Sequence, residues 1–204
     1  MKLKMLPLLA AIVFSSCGTD MLEQGQKQTT TQSANKELKQ FSLDLNHYFN
    51  SYNTKDWDQV VELTYDPVFG GKPRNERIAD YVVANTNGME RTISNVKIEK
   101  VLKGEEDKKN KYAKIFYSAT VSVKLKDSMI EHKEAIRTNL ELSYDTQDVV
   151  YDEASHEFTI PAYAYMLAIS KKGSNDYWEY IEVDKQKEPY LSQVVPEDLV
   201  YLSE

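Results

Sequence analysis

The sequence predicts an α+β fold in which N-terminal helices pack on a curved, mostly antiparallel sheet. Apolar residues first recur at helical spacing, and the period then changes to two along several later segments. Helices followed by a run of strands are typical of α+β domains rather than of alternating α/β folds. Short polar turns separate the later segments, and such turns join antiparallel strands.

The chain begins with the features of a secretory signal peptide over residues 1–16. Lys2 and Lys4 are followed by an apolar stretch, residues 6–14, and then by the small residues Ser15 and Ser16. This stretch is too short to span a bilayer, since a spanning helix needs about 20 apolar residues. Export from the cytoplasm is therefore predicted.

The single cysteine, Cys17, follows directly. The segment Phe14-Ser15-Ser16-Cys17 resembles the lipobox of bacterial lipoproteins, in which the cysteine is lipidated and the chain is cut before it. The resemblance implies a diacylglyceryl group and an N-acyl chain such as palmitate on Cys17. Because Gly18 rather than Asp comes next, it implies the outer membrane, on either face. A plain signal peptide with an incidental free cysteine is the alternative.

Residues 17–35 are predicted to be a flexible tether, and residues 36–204 a single α+β domain. The tether is rich in Gln, Thr and Ser and has almost no apolar side chains after Leu22. The whole chain carries a net charge of −7. Nucleic acid is therefore not an expected partner, because binding to phosphate backbones depends on Lys and Arg contacts.

Three helices are predicted at the start of the domain. The first covers about 35–52, with Phe41 and Leu45 on its apolar face and His47 nearly opposite. The second follows Thr54 and ends before Asp66-Pro67, because the residue before proline avoids helical geometry. The third covers about 75–87, with Ile78, Tyr81 and Val82 facing inward.

Strands are predicted over the rest of the domain, because apolar and polar residues alternate there. The segment 113–125 alternates for its whole length and is the strongest of these signals. The predicted strands are 96–102, 113–125, 136–144, 149–151, 159–170 and 177–184, followed by short helical turns at 189–193 and 196–202.

The order of these elements resembles the nuclear-transport-factor-2-like, or cystatin-like, superfamily. The similarity lies in the joint at residues 52–58, in the long alternating strands and in the final strand, 177–183, with Trp178. This resemblance implies a cone-like domain with a cavity at its wide end. Such folds host enzymes, binding proteins and interaction modules alike, so the fold does not decide the function.

No catalytic or metal-binding motif stands out, and no cofactor is expected. His47, His132 and His156 are far apart in sequence and are interpreted as surface residues. Several aromatic side chains are candidates for lining a pocket for a small apolar or sugar-like ligand, with ordinary core packing as the alternative. These candidates are Tyr48, Tyr52, Trp57, Tyr117, Tyr144, Tyr163 and Trp178, and Tyr165 has the same pattern.

The sequence thus favours a lipid-anchored envelope protein that binds a small ligand or another envelope protein without catalysing a reaction. The alternative is a cavity-type enzyme, such as an isomerase, dehydratase or hydrolase, that uses a buried Asp or Tyr. An inhibitor-like module for a basic target is a third hypothesis. A homodimer through an open sheet face is a further hypothesis, in which Phe116 is the apolar contact and Lys114 and Ser118 are exposed.

Overall fold

The computed structural model describes residues 20–86, 88–174, 177–183 and 191–201, with side chains from residue 36 onward. The chain divides into two units, Met1–Lys39 and Gln40–Glu204. In the first unit the described backbone is the beginning of helix α1, Asp20–Thr54. The predicted signal peptide and Cys17 lie outside the described residues.

Helix α1 begins at Asp20, earlier than the start near residue 35 that the apolar spacing predicted. Most of the segment 17–35, predicted as a flexible tether, is therefore helical. It contains several good helix formers, including Gln, Glu, Met and Ala, and no proline. A helix that has formed extends through its own backbone hydrogen bonds and needs no apolar face to do so.

The second unit has the predicted α+β order of elements. Helix α1 is followed by α2, Trp57–Leu63, and α3, Arg74–Ala84, and 3-10 turns lie at Asp66–Phe69 and Asp127–His132. The remaining elements are β1 Met89–Lys103, β2 Asn110–Leu125, α4 Lys133–Tyr144, β3 Val150–Asp152, β4 Glu157–Lys171, β5 Glu179–Val183 and α5 Glu197–Val200. In the parts of the chain that the structure describes, no helix combines the length and the apolar character needed to cross a bilayer.

The joint after α1 is fastened to the edge of the sheet by Asn53. Its side-chain Nδ2 donates to the Ile93 carbonyl at 2.7 Å, and the Ile93 amide donates to its Oδ1 at 2.9 Å. The side-chain amide thus satisfies both backbone groups of one residue in β1, as a neighbouring strand would. Asp56 then accepts a hydrogen bond from the Gln59 amide and caps α2.

All the strands pair antiparallel, and the curled sheet forms a half-barrel. The strand order is β1-β2-β4-β3, and β5 also pairs with β4. Strand β3 pairs with β4 as far as Thr159, whereas β5 begins to pair at Tyr165. Among the described residues, segment 160–164 of β4 therefore has no partner strand on that edge.

One predicted strand, 136–144, is wrong, because these residues form helix α4. The apolar residues Ile136, Leu140 and Tyr144 are spaced by four, which fits one helical face as well as one strand face. Leu142 belonged to the predicted strand face but is 64% exposed. The segment also contains Leu, Glu and Arg, which favour the helix.

A second correction concerns the inward face of α3. Val82 was predicted to face inward but is 40% exposed, while Ile78 and Tyr81 pack against the core.

A third correction concerns the outer face of the sheet. Lys114 was predicted on an exposed face but is only 5% exposed. Its Nζ donates to the Val200 carbonyl at 2.8 Å and lies 3.9 Å from the centre of the Tyr165 ring.

The sheet has a cluster of buried apolar side chains on each of its two faces. The inner-face cluster joins α1 and α2 to alternate residues of β2 and β4, including Leu45, Ile115 and Ile160. The outer-face cluster packs the C-terminal residues from Leu191 to Val200 on the opposite side of the same strands. Because both sides of the sheet are covered there, polar residues such as Lys114 are enclosed as well.

Candidate functional site

A cavity of about 480 Å³ lies beside residues 160–164 of β4, on the edge where the described residues supply no partner strand. Its walls come from β1, β2, α4, β4 and β5, so it is assembled from segments far apart in the sequence. The residues that line it are Arg91, Phe116, Tyr117, Leu140, Ser143, Tyr144, Asp145, Tyr163, Ala164, Tyr165, Glu182 and Val183.

Aromatic rings form much of the wall. The rings of Phe116 and Tyr163 are stacked, with centroids 6.2 Å apart, and Tyr165 lies 5.8 Å from Phe116. These three residues share the outer face, because Phe116 and Tyr165 are paired in register and Tyr163 is two residues along β4. Tyr163 is 57% exposed, so its ring is available to a ligand.

An ion pair between Arg91 and Glu182 provides the charged part of the site. Arg91 Nη2 donates to Glu182 Oε1 at 2.5 Å, although the two residues belong to β1 and β5. In a flat sheet of this order, three strand spacings of about 4.8 Å would separate the two strands. The contact is possible because the half-barrel curls and brings its inner faces together.

The rings of Tyr52 and Tyr144 flank the Arg91 guanidinium, with centroids at 5.4 and 5.9 Å from its central carbon. Burial alone lowers the pKa of Arg91, but the Glu182 carboxylate and the neighbouring phenols outweigh this, so the pKa is above its ordinary value. Burial also raises the pKa of the Tyr144 phenol. At neutral pH the site therefore holds a guanidinium cation and a protonated phenol.

One nitrogen of this arginine is unusual. Arg91 Nε is buried and has no hydrogen-bond partner among the described residues. An unsatisfied buried donor costs about 1–3 kcal/mol. Such groups in native structures often mark sites of function, where a ligand or a water molecule supplies the acceptor.

The structure places the predicted pocket residues in two groups. Tyr117, Tyr144 and Tyr163 line the cavity, and Tyr165 lies with them. Tyr52 is 8% exposed and its ring lies 5.4 Å from the central carbon of the Arg91 guanidinium, but it is not a lining residue.

The other predicted pocket residues are core residues. Tyr48 is 2% exposed, and Trp57 stacks on Tyr81 with centroids 5.7 Å apart. Trp178 packs edge-on against Phe41 at 5.0 Å. These rings contribute to packing in the core and are not among the residues that line this cavity.

The sequence reasoning missed Arg91 and Glu182. Each is a charged residue at an inward position of a strand: Arg91 is two residues before buried Ile93, and Glu182 is two residues after buried Tyr180. A charge at such a position signals a buried pair or a site, because a single buried charge is too costly. The sequence did not show which two charges meet.

The predicted surface histidines are placed away from the cavity. His47 and His132 are exposed. His156 is half-buried in the turn before β4, where its Nδ1 lies 3.1 Å from the Tyr151 hydroxyl. No group of three or more His, Cys, Asp or Glu side chains suited to a metal ion occurs among the described residues.

Comparison with models of protein families gives no match for this chain, and comparison with curated protein sequences gives none either. The geometry of the cavity, by contrast, points to a function. That geometry offers flat apolar surfaces, one guanidinium and one carboxylate side by side, and the hydroxyl groups of Ser143 and Tyr144. Such a set binds a small molecule that has both an apolar face and hydrogen-bonding groups.

Proposed function

We propose that this protein is a lipid-anchored binding protein of the bacterial cell envelope that holds a small ligand in the cavity beside β4. In this proposal Cys17 carries the lipid, the outer membrane is the site of attachment, and the domain is a cone-like relative of the nuclear-transport-factor-2-like superfamily. The observation that carries the binding function is the meeting of aromatic walls with the Arg91–Glu182 pair in one cavity.

The dimensions and chemistry of the cavity support this proposal. Its volume of about 480 Å³ falls within the range of about 300–1,000 Å³ that is typical of small-molecule sites. Such sites combine mainly apolar walls with a few polar groups that orient the ligand. Among the described residues, segment 160–164 of β4 is unpaired on one edge, and this gap gives the ligand a way in.

The lipid anchor is tested by Cys17→Ser in the full-length protein. We expect the unchanged protein to fractionate with membranes and the variant to lose this association, because a serine hydroxyl does not accept the thioether-linked lipid. Membrane flotation and metabolic labelling with an alkyne-tagged palmitate measure the two properties. Ser16→Ala is the matched control and should keep both the label and the membrane association. A Cys17→Ser protein that stays processed and membrane-bound would contradict the anchor.

The ligand site is tested by filling the cavity from α4. We expect Ser143→Trp to reduce the binding of fragment-sized aromatic compounds by at least about tenfold, because the indole occupies the ligand volume. Binding is measured by saturation-transfer NMR on the full chain carrying Cys17→Ser, which has no lipid. Asn139→Trp, on the same helix but outside the lining, is the control. Equal binding by both variants, or no fragment bound by the parent protein, would contradict the proposed binding function.

Catalysis in the same cavity is a second candidate function. It is favoured by the proximity of a carboxylate, Glu182, to a protonated phenol, Tyr144, since these groups accept and donate protons. Mass spectrometry of bound compounds after incubation distinguishes the two functions. An unchanged ligand supports binding alone, whereas a product that forms with the parent protein and not with Glu182→Gln supports an enzyme.

A further inference from the structure

We infer that the ligand of the cavity is a neutral saccharide. This inference rests on the proposed binding function and names the chemical class of the ligand. It is drawn from the net charge of the Arg91–Glu182 pair, from the donors and acceptors that the pair presents, and from the exposed ring of Tyr163.

Within the ion pair the charges of Arg91 and Glu182 cancel, and a second carboxylate, Asp145, also lines the cavity. A ligand with a carboxylate or phosphate would approach Arg91 but would be repelled by Glu182, whose carboxylate lies within hydrogen-bond distance of the guanidinium. A cationic group placed beside Glu182 would be repelled by the Arg91 guanidinium that contacts it. The overall negative charge of the chain, −7, further disfavours an anion.

The pair also presents a donor and an acceptor next to each other. A guanidinium has five N–H donors and a carboxylate has two oxygens, and the bond between Arg91 and Glu182 joins Nη2 to Oε1 only. Adjacent hydroxyl groups of a sugar each donate and accept, so one accepts from Arg91 while its neighbour donates to Glu182. A small shift of the guanidinium toward such a ligand also gives Nε the acceptor that it lacks.

The aromatic wall suits the other side of a sugar ring. The C–H groups of a pyranose form an apolar face, and such a face packs on an aromatic ring. Tyr163 offers an exposed ring that the stacked Phe116 holds in place. Tyr163 is on the outer face of the sheet and the Arg91–Glu182 pair is on the inner face, but both line the same cavity. A ligand that contacts both therefore extends around the edge of β4 beside residues 160–164.

The test is ligand-observed NMR and calorimetry with maltose, cellobiose and lactose, using the full chain carrying Cys17→Ser. We expect at least one of these disaccharides to bind with a dissociation constant on the order of 1 mM. Tyr163→Ala should weaken it by about tenfold, the size of one good aromatic contact. Tyr201→Ala, which removes a ring that is 58% exposed outside the cavity, should not change it.

Charged sugars separate the neutral class from its alternatives. Glucuronate and glucosamine should both bind more weakly than the neutral disaccharide, and Glu182→Gln should weaken the disaccharide. The inference is overturned if none of the three disaccharides binds, or if either charged sugar binds more tightly. Aromatic fragments that still bind in a Ser143-dependent way would then show that the proposed binding function survives without it.

Discussion

Phe49→Ala is expected to lower the free energy of unfolding by about 3–5 kcal/mol, the usual cost of deleting a buried phenylalanine side chain. Phe49 is 2% exposed and joins α1 to the sheet, with ring centroids 5.4 Å from Tyr48 and 5.3 Å from Tyr117. Removal of the Phe49 ring leaves a cavity between α1 and the strands of the sheet. In a domain of this size the midpoint of thermal unfolding should fall by on the order of 10 °C. Urea denaturation followed by circular dichroism measures the free energy.

Leu43→Ala is the matched control on the same helix. Leu43 is 57% exposed, so its truncation should change the free energy of unfolding by less than about 0.5 kcal/mol. Equal losses for the two variants would mean that α1 does not pack on the sheet through the face that Phe49 occupies.

The second large effect is expected from breaking the Arg91–Glu182 pair. Arg91→Met leaves the Glu182 carboxylate without its partner. Removing one partner of a fully buried ion pair lowers the free energy of unfolding by about 3–5 kcal/mol. About a quarter of each side chain is exposed, at 25% and 22%, so solvent reduces this cost. We therefore expect a loss of about 2–3 kcal/mol, measured by urea denaturation.

A double-mutant cycle isolates the pair itself. Arg91→Met combined with Glu182→Gln should destabilise the protein less than the sum of the two single changes, with a coupling of about 1–2 kcal/mol. The exposed pair Arg74–Glu62, with side chains 48% and 55% exposed, is the comparison and should show coupling below about 1 kcal/mol. Additive effects at Arg91 and Glu182 would mean that the two side chains do not stabilise each other.

The spacing of apolar residues was enough to predict most elements. The alternation over 113–125 predicted β2, and the spacing of Phe41 and Leu45 predicted the inward face of α1. The α+β class is confirmed. It could be predicted from the same spacing, because each helix or strand must bury one face and the apolar residues show which face this is.

Helix α4 shows where such reasoning fails. Residues spaced by four, such as Ile136 and Leu140, lie on one side of a helix and also on one side of a strand. Contacts with other parts of the chain resolve this ambiguity. Arg137, for example, donates to the Val149 carbonyl at 2.7 Å and holds the helix against the segment that leads into β3.

The candidate site was predicted only in part. Tyr117, Tyr144 and Tyr163 were identified from their residue type and alternation, but Tyr48, Trp57 and Trp178 have the same signal and lie in the core. The sequence pattern of an inward-facing aromatic residue is the same whether its ring packs against another side chain or lines a cavity. The difference depends on the opposite wall, which comes from distant parts of the chain.

The sequence by itself determined the α+β class, the helical face of α1 and the main strands, because these follow from periodicity within short segments. The tertiary structure alone decided that Arg91 meets Glu182 and that Lys114 is covered, and it resolved the ambiguous spacing of α4 in favour of a helix. These features depend on the curl of the sheet and on where β5 and the C-terminal segment dock on it. Such long-range geometry arises when distant segments compete to bury the same surface, and no local pattern records the outcome.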